Sequence, residues 1–150
     1  MSYKKTTLPG VEKPDCSCLL RCALKANACF SLLSALILLC AAAPISTTIG
    51  GIRSGDLRNV SVALLLYCVF LWKTSQRAII TGLSAWPFVV LDLGWVLGSG
   101  AAIAFADLTV TGKWVGGITA DFVLAFAVAQ LVGILRLKTR PDREATLPIG

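Results

Sequence analysis

Four stretches of the chain are almost unbroken in apolar character, and polar or glycine-rich segments separate them. They cover residues 26–45, 57–72, 84–106 and 114–135. A helix rises ~1.5 Å per residue, so about 20 apolar residues cross the ~30 Å hydrocarbon core of a bilayer. The pattern predicts an all-α fold, an integral membrane bundle of four helices. Pro44 and the following STTIGG are expected to end the first helix. The second run is the shortest, firmly apolar only over 60–72 apart from Ser61, and Trp72-Lys73 makes an interfacial stop. Arg58 at its start is placed to snorkel outward. Ser84 and Pro87 supply an N-cap and an early-turn proline for the third helix. A tight hairpin at residues 107–113 leads into the fourth. The charged leader before the first run and the run itself are both long for a cleaved signal, so a retained helix is expected.

Polar residues inside these runs are few, and each changes the picture. Asp92 lies inside the third run, where a carboxylate costs at least ~2.5 kcal/mol and needs a bundle interior, a partner or a proton. At ~100° per residue Ser99 shares its side of the helix. Gly94, Gly98, Ala102 and Ala106 recur four apart, a small-residue seam for close helix packing, and Gly94 lies roughly 200° round from Asp92. The third helix is therefore expected to be central, touching neighbours on both flanks. In the fourth run Asp121, Ala125, Ala129 and Gly133 recur four apart, and Gln130 is a further polar position. Asp121 is expected near enough to the helix mouth for water or Arg58 to reach it. Asn27, Ser31 and Ser34 form a weak polar stripe in the first run, read as helix-packing contacts.

Composition agrees with membrane residence: 56% of the 150 residues are hydrophobic and 15% are charged. The chain has no His, which removes His-ligated haem, His-dependent metal sites and Ser-His or Cys-His nucleophile pairs. No cofactor and no metal site are expected. The net charge of +6 is concentrated at the ends: residues 1–25 hold five Lys/Arg and two acids, and residues 136–150 hold four and two. These flanks abut apolar spans, so anionic lipid headgroups are the expected partner and nucleic acid is not. With four spans, the segments on the side of the termini hold eleven Lys/Arg and those on the other side three. That bias puts both termini in the cytosol. The expected organisation is a Cys-rich basic tail (1–25), a four-span domain (26–135) and a second basic tail (136–150).

The six cysteines end at Cys68 and none falls in a proposed outside loop, so a secreted disulfide framework is not indicated. Cys16, Cys18 and Cys22 sit where S-palmitoylation occurs. Their C-x-C-x3-C spacing lacks the paired C-x2-C of a zinc site.

Four spans in about 150 residues, tails on the cytosolic side, and Asp92 followed by SGAAIAFA together resemble the MARVEL superfamily. The nearest likeness is to fungal MARVEL-type and plant Casparian-strip-like membrane proteins. The resemblance implies scaffolding, membrane apposition or vesicle trafficking, without catalytic residues. The plant-type branch pairs its third-span Asp with a basic residue in the first span; here Arg21 and Lys25 stand at the edge of that span. The expected role is a non-catalytic, multi-pass component of the plasma membrane or an endomembrane, partnered by the bilayer, with copies of itself or other membrane proteins as candidate further partners. Two alternatives stay open: a small proton-coupled transporter using Asp92, and an intramembrane isomerase or cyclase using Asp92 and Asp121 on a lipid-soluble substrate.

Overall fold

The computed structural model describes residues 16–77, 80 and 82–138. They form four helices: α1 (Cys16–Ile49), α2 (Ser54–Ser75), α3 (Gly82–Phe105) and α4 (Val110–Lys138). All four are long and apolar enough to cross a membrane. Most of the two basic tails lies outside the described residues.

The helices overrun the apolar stretches, because backbone hydrogen bonding does not stop where apolar composition does. α1 begins ten residues before the expected span, and the added turns place Leu20 and Leu24 fully inside. It also continues past Pro44 rather than ending there. Ala41 leaves helical geometry (φ −118°, ψ 25°), three residues before the proline. The pyrrolidine ring lacks an N–H and crowds the carbonyl four residues back, so the helix kinks without stopping. The Thr47 and Thr48 hydroxyls then both donate to the Pro44 carbonyl at 2.8 Å. The helix ends at Gly50 and Gly51, whose φ values of 65° and 63° lie in the left-handed region that side chains disfavour. α2 is a full 22-residue helix. α3 starts at Gly82, so Ser84 lies in its first turn and not at the cap.

α1 packs along α2 on one side and α4 on the other, α3 packs along α4, and α2 scarcely meets α3. The helices therefore run in an open ring, α2–α1–α4–α3, with its seam between α2 and α3. The apolar core sits at the end where α1 begins and α4 finishes, built from Leu20, Leu24, Leu71, Phe88, Val89 and Ile134. Arg21 Nη1 donates to the Ser75 carbonyl at 2.9 Å, fastening α1 to the last turn of α2.

The opposite end is held by backbone. Thr109 N–H donates to the Ile49 carbonyl at 2.8 Å, and its hydroxyl reaches the Thr48 carbonyl at 2.7 Å. The same hydroxyl accepts from Gly112 N–H at 3.0 Å, so one threonine caps α4 and closes the end of α1. A Cβ on Gly112 would stand 2.5 Å from the Ile49 carbonyl oxygen. Glycine is required by that approach.

The exterior is apolar: Leu33, Leu66, Phe70, Leu97 and Phe105 are all more than half exposed.

Candidate functional site

Helical spacing places Ala85, Phe88, Val89 and Asp92 on one face of α3, and all four are buried. Asp92 is 3% exposed. Its Oδ2 accepts from Asn27 Nδ2 on α1 and from Gln130 Nε2 on α4, each at 2.8 Å. Its Oδ1 accepts from the Tyr67 hydroxyl on α2 at 2.6 Å. One carboxylate thus receives one donor from each of the other three helices.

Each donor is itself positioned. Ser31 Oγ, one turn along α1, donates to Asn27 Oδ1 at 3.3 Å and turns the Asn27 amide nitrogen toward Asp92. The Tyr67 ring packs on Phe88 with centroids 5.9 Å apart, and its hydroxyl also lies 3.4 Å from the Phe88 carbonyl. Gln130 is fully buried, and among the described residues its Oε1 has no hydrogen-bond partner. The four polar residues form a layer. Tyr67, Asp92 and Gln130 stand five or six residues from Trp72, Trp86 and Arg136, and Asn27 six from Arg21, so the layer lies ~8–9 Å in from that end of the bundle.

The chemistry of this layer is that of a carboxyl group held as an acceptor by three donors. An ionised carboxylate only accepts, and hydrogen bonds to it are worth roughly 1.5–3 kcal/mol each. Three donors around it are the reverse of the oxygen-rich shell a hard cation needs. Both oxygens are engaged, Oδ2 by two donors and Oδ1 by one, and the residue is 3% exposed.

The structure brings together Asn27, Asp92 and Gln130 of the residues singled out in the sequence, and adds Tyr67. Asn27 belongs to the recognised polar stripe, but its partner was not apparent, and Tyr67 is a lone phenol in an apolar helix. Arg21 does not reach Asp92; the first-helix residue facing the carboxylate is Asn27. Ser99 lies on the same side of α3, half-buried. Asp121 is exposed on the far side of α4, so Asp92 and Asp121 share no site. Nor does Arg58 pair with Asp121 within the chain, because α1 is packed between their helices.

The small-residue seams behave differently from one another. Gly94 and Gly98 are exposed with none of the described residues within 4 Å of an added Cβ, so α3 packs through its Asp92 face and not through this seam. Ala102 and Ala106, further along the row, are half-buried. On α4 the four-residue row drifts around the helix: Asp121 and Ala125 face outward, Ala129 is half-buried, and Gly133 meets Leu20 of α1. A Cβ at Gly133 would stand 2.9 Å from Leu20 Cβ. Of the lipidation candidates, Cys18 and Cys22 are exposed thiols on the first turns of α1, and the side chain of Cys16 lies outside the described residues.

Comparison with protein-family models, curated proteins and solved structures finds no match to this chain.

Proposed function

We propose that this is a non-catalytic multi-pass membrane protein with both termini in the cytosol, acting as a MARVEL-like scaffold or membrane-trafficking component. The observation that carries this reading is the Asp92 layer. A functional carboxylate needs access to a substrate, a cation or a proton path, whereas both oxygens of Asp92 are engaged by Asn27, Tyr67 and Gln130. The residue acts as a tie among four helices, and the apolar exterior suits hydrocarbon as its solvent. The MARVEL assignment rests on the four-span pattern and on the acidic third span followed by small residues.

Paired substitutions at Asp92 test it. In Asp92→Asn the amide oxygen accepts from Asn27 and Gln130, and the amide nitrogen donates to Tyr67. Abundance, localisation and slow lateral diffusion of a tagged protein should survive. Asp92→Leu should lower abundance or cause retention. A well-expressed Asn variant that has lost the wild-type phenotype would sink the structural reading.

One observation favours a second reading, a proton-responsive bundle of the kind a small transporter uses. The Tyr67 hydroxyl has the Phe88 carbonyl as a second acceptor at 3.4 Å. A proton on Asp92 Oδ1 reverses the bond to Tyr67 without leaving that hydroxyl unpaired. This reading requires a pH-dependent activity in wild type that Asp92→Asn makes independent of pH.

A further inference from the structure

Asp121 occupies the wrong side of its helix for a chain of this kind. The core side of α4 is marked by the buried Ala120, Val123, Ala127, Gln130 and Ile134. At ~100° per residue Asp121 projects in nearly the opposite direction, and it is exposed. With Ile118, Phe122 and Ala125 it lines a shallow groove of about 330 Å³.

Its height makes the exposure costly. Gly112 touches Ile49 at the hairpin end, and Asp121 is nine residues further along α4, ~13 Å deeper. Gln130, at the Asp92 layer, is another nine residues on. The carboxylate therefore stands midway down the outward face of a membrane helix, where Asp costs ~2.5–3.5 kcal/mol. Its single methylene is too short to carry the charge to an interface, as a lysine or arginine stem does. Among the described residues nothing within the chain pairs with it.

The matching charge is on the diagonally opposite helix. Arg58 is exposed, one turn into α2, and no ion pair within the described residues holds its guanidinium. The Ile52 carbonyl accepts from Ser46 Oγ, one turn short of Ile49. Four helical residues from Ser54 then bring Arg58 to a depth of roughly 10–14 Å below Ile49. Arg58 and Asp121 thus carry opposite charges at similar depth on opposite sides of the bundle.

We propose that a second copy of this chain covers Asp121, its Arg58 pairing with the carboxylate across a head-to-tail contact between α2 of one copy and α4 of the next. The geometry excludes a self-complementary two-fold contact through one helix, because each copy offers the two charges on different helices. Such heterologous contacts close into rings or extend into rows. The proposal rests on the scaffold reading and gives it a physical basis for lateral assembly. Removal of water strengthens the pair, which can be bidentate at a carboxylate.

The test is energy transfer between donor- and acceptor-labelled full chains in phosphatidylcholine vesicles, across a range of protein-to-lipid ratios. Wild type should self-associate. Asp121→Leu and Arg58→Leu, both compatible with a lipid-facing position, should each weaken association by about tenfold. The double Leu variant should be no weaker than either single one, and the exchange R58D/D121R should restore association. Self-association unchanged by Asp121→Leu overturns the contact. Wild type that stays monomeric in these vesicles also overturns it, and shows that whatever covers Asp121 is not this chain. The scaffold reading is judged separately, by patches and slow diffusion in cells, so the two failures are distinguishable.

Discussion

The two ends of this bundle are held together by different physics. At the end where α1 begins and α4 finishes, side chains do the joining: the apolar cluster around Leu20, Leu71 and Ile134, and the carboxylate layer just beyond it. At the hairpin end the joining is by backbone, with Thr109, Gly112 and the Gly50-Gly51 pair bringing α1 and α4 into main-chain contact. A polar tie gains strength when water is excluded, so it belongs deep in the bundle. A backbone clasp needs small residues and a cap, and it sits where helices end and carbonyls lack partners. The contrast predicts that the ends should fail independently.

The largest effect is expected at the side-chain end. Asp92→Leu orphans the Asn27 and Gln130 amides at ~1–3 kcal/mol each, about 2–6 kcal/mol in total, while Tyr67 retains the Phe88 carbonyl. The thermal midpoint in detergent should collapse, and amide exchange should rise around residues 20–30 and 127–134. If exchange instead rises first at the hairpin, the division into two ends is wrong.

Gly112→Ala is the counterpart at the hairpin. Its methyl would meet a backbone carbonyl that cannot rotate away, so α1 and α4 must separate, at a cost of about 3 kcal/mol. Increased exchange should be confined to residues 46–52 and 107–114, with the carboxylate layer still protected. Tyr67→Phe should be milder, about 1.5 kcal/mol, because the carboxylate keeps two donors and the ring keeps Phe88. An effect as large as that of Asp92→Leu would show that the phenol, and not the pair of amides, carries the layer.

Much of this arrangement was legible in the residues, and the boundary of legibility is physical. Apolar runs mark helices long enough to cross a bilayer, so four such helices and their order were readable. They do not locate helix ends, which is why the start of α1 at Cys16 and its passage through Pro44 were not. Helices that are apolar on every side carry little facing information, and only their polar residues betray an inward direction. Asp92 and Gln130 did so correctly, being polar groups with nowhere else to go. Asp121 has the same composition signal and faces outward, because sequence alone cannot tell an inward polar residue from one on the exterior of the bundle. Tyr67 gave no signal, since a phenol in an apolar helix is equally at home on an interface or a core.

The smallest expected effect concerns the glycines of α3, and it sharpens the contrast by asking whether that face belongs to either end. Four-residue spacing of small side chains is what close helix packing uses, yet Gly94 and Gly98 have no neighbour within 4 Å of an added Cβ. If lipid alone covers them, nothing opposes the gain from replacing glycine in a helix interior, up to ~1 kcal/mol per site. The double variant Gly94→Ala, Gly98→Ala should therefore raise the thermal midpoint slightly and leave self-association in vesicles unchanged. A fall in association would mean that a neighbouring helix reads the seam closely enough to feel a methyl group. The contact between copies would then run through α3, and the Arg58–Asp121 arrangement would have to share the interface or yield it.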